Sequence, residues 1–143
     1  MTHPLPVHDT APHPAGPDRF LRTVLRVDGA STAVTGAALV AAAGPLGSAT
    51  GMPVAFSVAF GVFQLCEAVA LLWIARRPVL PPPLVRAVVA VNGASAVACA
   101  AVAFGDVVPL SSFGTVFMLI GAVVVAVYAV LEWAGLRRTA AAG

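Results

Sequence analysis

Four apolar runs, each about as long as a bilayer-spanning helix, restrict this sequence to very few folds. They extend over residues 21–43, 54–75, 84–104 and 113–134. A helix needs about 20 mostly apolar residues to cross the hydrocarbon core of a bilayer. The segments between the runs are short, all contain proline and two contain glycine, and these residues end helices. We therefore predict an all-α bundle of four transmembrane helices, called the first to fourth spans below.

The scarcity of charge supports the same fold. Only 10% of the 143 residues are charged, whereas 59% are hydrophobic. A soluble domain has about 25% charged residues. Eight arginines, no lysine and six acidic residues cannot cover a water-facing surface. The composition therefore excludes an ordinary soluble domain, a disordered chain and a nucleic-acid-binding protein, and it makes the lipid bilayer the expected partner.

The arginines predict the orientation of the spans. In a four-span topology they all lie on one side, because the first and third loops contain no basic residue: Arg19, Arg22, Arg26, Arg76, Arg77, Arg86, Arg137 and Arg138. Basic residues accumulate on the cytoplasmic side of membrane proteins. We expect both termini to be cytoplasmic, with residues 1–19 a disordered tail, 20–138 the membrane domain and 139–143 a short second tail. An alternative interpretation of the first span is a signal peptide cleaved near residues 41–43. Asp28 counts against it, because this residue interrupts the apolar segment that a signal peptide requires.

The first half of the chain resembles the second half at an offset of 64 residues. The segment VDGAS at 27–31 aligns with VNGAS at 91–95, Arg22 aligns with Arg86, and the Pro-Leu pair at 45–46 aligns with the pair at 109–110. Both halves start from the same side of the membrane in the four-span topology. This pattern predicts two tandem helical hairpins that form a parallel repeat, with a pseudo-twofold axis along the membrane normal. The alternative is coincidence in an apolar chain of low complexity.

Four polar side chains within the spans require an explanation, because polar groups in lipid are costly. These candidate site residues are Asp28, Gln64, Glu67 and Asn92, which lie at overlapping depths in the cytoplasmic half. One interpretation is a proton- or cation-handling cluster in which the two carboxyl groups are assisted by the two amides. The other is structural: Asp28 pairs with an arginine at the membrane edge, Asn92 bonds a neighbouring helix, and Glu67 is protonated or reaches the interface.

Small residues at a spacing of four predict how the spans pack. The first span has such a row in Gly29, Ala33 and Ala37, and the third span has one in Ala90 and Ala94. Close helix packing in lipid uses rows of this kind. We therefore expect the first and third spans to pack together at the centre, with the second and fourth closer to lipid. Glu132 is expected near the interface beside Arg137, without a partner in the core.

The sequence has no motif that indicates enzymatic chemistry. It lacks a Cys-x-x-Cys pair, a phosphate-binding glycine loop and a nucleophile elbow. Cys66 and Cys99 are expected to fill space within helices. The histidines at positions 3, 8 and 13 lie in a proline-broken tail that does not preorganise a metal site. We predict a protein that is not an enzyme and that uses no metal or other cofactor.

Three segments resemble a family of small uncharacterised four-helix integral membrane proteins of bacteria. They are LRTVLRVDGASTAVTGAALVAAAGPLGSATGMP at 21–53, Val91-Asn92 in the third span, and Gly135-Leu136-Arg137-Arg138 after the fourth. The similarity covers residues 20–138. It implies a four-span architecture in the bacterial plasma membrane and no particular activity.

Two hypotheses about function follow from these features. The first is a non-enzymatic membrane protein that acts by helix–helix association, as a homo-oligomer or as an accessory subunit of a membrane partner. The second is a small proton- or cation-coupled transporter with an intramembrane carboxylate site. A transporter requires a cavity that reaches Glu67 or Asp28, whereas a packing protein requires these groups to be sealed off.

Overall fold

The computed structural model describes residues 16–141, and all regular secondary structure in this part of the chain is helical. It contains five helices: α1 (Gly16–Ala41), α2 (Ala43–Thr50), α3 (Val54–Ala75), α4 (Pro82–Phe104) and α5 (Ser112–Ala141). The first to fourth spans correspond to α1, α3, α4 and α5. Each of these four helices is long and apolar enough to cross a membrane. The predicted all-α fold with four long apolar helices is confirmed, and the length and composition of these helices are consistent with a membrane protein.

Several boundaries differ from the sequence prediction. α1 begins at Gly16 within the predicted tail, and α5 continues to Ala141, beyond the predicted end at 134. The rest of the predicted N-terminal tail, with its three histidines, and the last two residues of the C-terminal tail lie outside the described residues. α5 extends further than hydropathy predicts because its last residues are mostly leucine, arginine and alanine, which all favour helix.

The predicted loop at 44–53 contains the short helix α2. The chain bends at Ala42, although the N–H of Ala42 still donates to the carbonyl of Ala38 at 2.9 Å. Pro45 causes the bend, because it has no N–H to donate to the carbonyl of Ala41 and its ring crowds that group. Gly51 ends α2 in the left-handed region, with φ of 78°.

The four long helices pack as two pairs that meet along one side. α1 lies along α3, α4 lies along α5, and α1 also packs against α5, whereas α3 and α4 have little contact. In the described part of the chain, no Cα atom of α1 lies within 8 Å of a Cα atom of α4. The prediction that the first and third spans pack together at the centre is therefore wrong.

The close helix contact lies instead between α1 and α3, at Gly36 and Gly61. A Cβ atom added to either glycine would lie 2.8 Å from the carbonyl oxygen of the other. Ala37, which belongs to the row of small residues predicted for the first span, is exposed. In an alanine-rich helix small residues occur on every face, so their spacing does not identify the face that packs.

All eight arginines lie at one end of the bundle. There the guanidinium of Arg22 donates to the carbonyl oxygens of Ala75 at 3.1 Å, of Pro78 at 2.6 Å and of Arg77. Ala75 is the last residue of α3, and Arg77 and Pro78 follow it in the loop, so these carbonyls have no helical N–H partners. A buried apolar cluster that includes Leu21, Leu71, Val85 and Leu136 holds all four spans together beneath the arginines.

The opposite end is closed by contacts between α2 and the start of α5. The N–H of Ser111 donates to the carbonyl of Thr50 at 2.8 Å, and its hydroxyl donates to the carbonyl of Ala49 at 2.8 Å. Gly114 allows this approach, because a Cβ atom there would lie 2.0 Å from the carbonyl oxygen of Thr50. Between the two ends each span exposes valines, as lipid contact requires: Val34, Val69, Val97 and Val130, each more than 60% exposed.

Candidate intramembrane polar site

Three buried polar side chains from three different spans meet in the interior. Asn92 on α4 donates one amide hydrogen to Oδ2 of Asp28 on α1 at 2.9 Å. It donates the other to Oε2 of Glu132 on α5 at 3.0 Å. All three residues are at most 2% exposed. We call Asp28, Asn92 and Glu132 the carboxyl–amide cluster.

Hydroxyl groups on α1 extend the cluster. Thr32, one helical turn after Asp28, donates to Oδ1 of Asp28 at 3.0 Å. The hydroxyl of Ser31 lies 3.1 Å from the hydroxyl of Tyr128 on α5. Both carboxylate oxygens of Asp28 therefore accept hydrogen bonds, and two polar contacts join α1 to its neighbours.

Glu132 differs from the sequence expectation. It was expected near the interface without a core partner, but it is fully buried and bonded to Asn92. The cause is the length of α5, which continues for nine residues past Glu132 to Ala141 and carries this side chain into the interior. The signal that could have found it is the repeat, because Glu132 follows Glu67 at an offset of 65, close to the offset of 64 that relates Asn92 to Asp28.

No arginine pairs with a carboxyl group of the interior in the described part of the chain. The one ion pair there joins Arg22 to Asp18 at 3.9 Å, outside the cluster. With a rise of about 1.5 Å per residue, Asp28 lies about 9 Å inward from Arg22 but only about 3 Å from Arg26, and Glu132 lies about 8 Å inward from Arg137. Glu67 lies about 14 Å inward from Arg76. Three carboxyl groups thus lie within the spans without a basic side chain bound to them.

A cavity of about 220 Å³ lies beside the cluster and is lined by all four spans. Gln64 and Glu67 on α3 line it, as does Asn92 of the cluster. The Oε1 atoms of Gln64 and Glu67 are both buried and have no hydrogen-bond partner among the described residues. The cavity therefore joins the hydrogen-bonded cluster to two polar side chains whose bonding capacity is unused.

The cavity opens sideways, in the middle of the apolar belt. Three side chains of its wall are about half exposed, namely Phe63 at 46%, Ile120 at 59% and Val124 at 43%. Phe63 lies near the middle of α3, and the other two lie in the central part of α5. A second crevice of about 490 Å³ shares Phe60, Phe63 and Ser95 with the cavity and follows the gap between α3 and α4.

The four candidate residues predicted from the sequence lie around this one region. Asp28 and Asn92 are in direct contact, and Gln64 and Glu67 line the cavity that Asn92 also lines. The structure thus brings together the predicted residues in two parts: a sealed cluster and an open cavity wall. Within residues 16–141, no group of three or more histidine, cysteine, aspartate or glutamate side chains is arranged to hold a metal ion.

Comparisons with known proteins gave no further guidance. No family model matches the chain, and no similar protein was found among curated sequences or solved structures. The site must therefore be interpreted from its own chemistry.

Proposed function

We propose that this protein is a non-enzymatic, multi-pass protein of the bacterial plasma membrane that binds and exchanges a proton or a small cation. Its two termini are cytoplasmic in this proposal, because the arginine end then lies inside the cell. The observation that carries the proposal is the presence of three carboxyl groups, Asp28, Glu67 and Glu132, with no arginine bound to any of them.

The charge of these carboxyl groups must be balanced within the site. Inserting one charged side chain at the centre of a span costs about 2.5–3.5 kcal/mol. Several neighbouring anionic groups would cost more, since they also repel one another in a medium of low dielectric constant. Bound protons or a bound cation remove this cost by neutralising the carboxylates. A site that binds and releases them can exchange protons or cations.

The tandem-repeat organisation is part of the proposal and is supported by one contact. Asp28 and Asn92 are separated by 64 residues, the offset that aligns the two halves, and they hydrogen-bond directly to each other. Equivalent residues meet in this way when they lie next to a pseudo-twofold axis. The two halves differ in their remaining contacts, because α1 packs against α5 while α3 and α4 leave a gap.

Helix association is the second candidate function, and the sealed cluster favours it. Hydrogen bonds between polar side chains hold helices together in lipid. The bonds from Asn92 to Asp28 and to Glu132 join three of the four spans. On this hypothesis the protein acts as a homo-oligomer or as a subunit of a membrane partner. The helix-association hypothesis gives no role to the cavity that reaches Glu67, and for this reason we favour proton or cation exchange.

The experiment compares ion movement in proteoliposomes. Purified protein is reconstituted around an internal pH-sensitive dye, a pH gradient is imposed, and the initial rate of its collapse is measured with sodium or potassium outside. The variants are Glu67→Gln and, as a matched control, Asp106→Asn, which removes the carboxylate of an exposed loop residue. Circular dichroism verifies that both variants fold.

We expect the wild type and Asp106→Asn to collapse the gradient faster than protein-free liposomes, and Glu67→Gln to lose most of this increase. A wild-type rate equal to that of protein-free liposomes in every salt would refute the proposal. So would a rate for Glu67→Gln equal to that of the wild type.

A further inference from the structure

The cavity has an unusual combination of lining groups. One carboxyl group, that of Glu67, and two side-chain amides, those of Gln64 and Asn92, lie on a wall that is also rich in aromatic rings. The rings belong to Phe60, Phe63, Phe117 and Tyr128. Aromatic faces attract ammonium groups, and clusters of such faces recognise quaternary ammonium ions in particular.

The charge of the wall selects the sign of a ligand. Among the described residues that line the cavity there is no arginine, lysine or histidine. Oε1 of Glu67 is buried without a hydrogen-bond partner in this part of the chain, and such a carboxylate oxygen is a favourable contact for a cation and an unfavourable one for an anion. The rest of the wall is mostly apolar, with the amide of Asn92 and a few hydroxyl groups, so it suits a ligand whose body is hydrophobic.

The size of the cavity limits the ligand. Its volume is about 220 Å³, whereas a dry cavity of about 150 Å³ accepts a benzene molecule. There is therefore room for one aromatic ring or a comparable alkyl group together with a small ammonium head.

The route into the cavity indicates where such a ligand comes from. The crevice between α3 and α4 is lined almost entirely by apolar side chains, with Ser95 its one hydroxyl group, and it leads to Phe60 and Phe63 at the cavity. It lies at the level of the apolar belt, since these residues belong to the middle of the spans. A molecule dissolved in the bilayer can follow this crevice without passing through water.

We propose that the cavity binds an amphipathic organic cation, an ammonium ion with an aromatic or alkyl body, which enters sideways from the bilayer between α3 and α4. The proposal rests on the proposed function and names the cation that the site exchanges. Glu67 contacts the ammonium group, the aromatic rings surround it, and the apolar body occupies the rest of the cavity.

The test measures binding of benzyltrimethylammonium to the full-length protein in lipid nanodiscs. Radiolabelled ligand is titrated in a scintillation proximity assay. Neopentylbenzene, which has the same shape but a carbon atom in place of the charged nitrogen, is the competing neutral probe. Glu67→Gln removes the carboxylate, and Asp106→Asn is its control in an exposed loop.

A second pair of variants tests the position of the ligand without changing any charge. Gly121 lines the cavity, and a Cβ atom there would meet nothing within 4 Å. Gly121→Leu should therefore fill the cavity and leave the packing intact. Gly93 also has open space at its Cβ position but does not line the cavity, so Gly93→Leu is the matched control.

We expect Glu67→Gln and Gly121→Leu each to weaken binding at least tenfold, whereas Asp106→Asn and Gly93→Leu bind as the wild type does. Absence of binding to the wild type would overturn the proposal, as would equal binding by Glu67→Gln or displacement of the cation by neopentylbenzene. If proteoliposomes collapse a pH gradient through Glu67 while benzyltrimethylammonium does not bind, the proposed function stands and the organic cation is wrong. If both experiments fail, the proposed function fails with it.

Discussion

Replacement of Asn92 by leucine tests whether the carboxyl–amide cluster holds the spans together. Leucine keeps the branched shape and the number of side-chain heavy atoms but removes both hydrogen bonds, at 2.9 Å to Asp28 and at 3.0 Å to Glu132. Hydrogen bonds between transmembrane helices contribute about 0.6 kcal/mol each on average and about 1.7 kcal/mol at most. Two such bonds therefore give a loss of about 1–3 kcal/mol in the free energy of unfolding.

The free energy of unfolding is measured by reversible denaturation with sodium dodecyl sulfate in mixed micelles, followed by far-UV circular dichroism. Thr35→Val is the matched control, because the Thr35 hydroxyl is exposed and donates within its own helix, to the carbonyl of Ser31 at 2.9 Å. It should change stability by less than about 0.5 kcal/mol. A double-mutant cycle of Asn92→Leu with Glu132→Leu, in which neither replacement can form the hydrogen bond, then isolates the energy of that one contact.

The reasoning is refuted if Asn92→Leu unfolds at the same detergent fraction as the wild type and Thr35→Val. A coupling energy of zero between positions 92 and 132 would contradict the contact itself, even if the single variant were destabilised.

Three further predictions concern the packing of the helices and use the same denaturation measurement. Gly61→Ala should destabilise the protein by about 1–3 kcal/mol, because its Cβ would lie 2.8 Å from the carbonyl oxygen of Gly36. Gly44→Ala is the control and should be neutral, since the added Cβ meets nothing within 4 Å. Equal stability of the two variants would count against the close approach of α1 and α3. Arg22→Gln should lower the free energy of unfolding by about 1–2 kcal/mol, because the carbonyls that Arg22 binds at and after the end of α3 lose their donor. Arg26→Gln, at an exposed position, should have little effect. Equal stability of the two variants would contradict this role of Arg22. Thr32→Val removes one of the hydrogen bonds to Asp28 and should therefore be less destabilising than Asn92→Leu, an order that the reverse result would disprove.

The four spans could be predicted from the sequence because each is a long apolar run without competing signals. Their packing could not. Gly36 and Gly61 make the close contact between α1 and α3, but they are two of many small residues in these helices. Which of these faces packs depends on the partner helix, and that information is not present in the pattern of either helix alone.

The candidate site was predictable in part for a related reason. Asp28 and Asn92 stand at equivalent positions of the two halves, and the sequence already placed them at overlapping depths in the spans. Glu132 was missed because hydropathy falls at Gly135, although the helix continues to Ala141. Hydropathy reports where lipid contact ends, whereas helix length depends on backbone hydrogen bonds that continue past that point.

No pattern in the sequence predicted the cavity. It exists because α3 and α4 stand apart while α1 and α5 pack together, and this asymmetry arises between two halves of similar sequence. The side chains at the cavity wall, such as Phe60 and Phe63, resemble ordinary lipid-facing residues until the gap between the helices is known.

The account depends most on the claim that the two ends of the bundle lie on opposite faces of the bilayer, with the carboxyl groups between them. Single cysteines at Val79, at the arginine end, and at Val107, in the opposite loop, test it directly, since both side chains are at least 75% exposed. Each is introduced after Cys66 and Cys99 have been changed to serine, and intact cells are treated with a membrane-impermeant maleimide before and after permeabilisation. We expect the cysteine at 107 to react in intact cells and the cysteine at 79 only after permeabilisation. Reaction of both before permeabilisation, or of neither, would place the two ends on the same side and contradict the account.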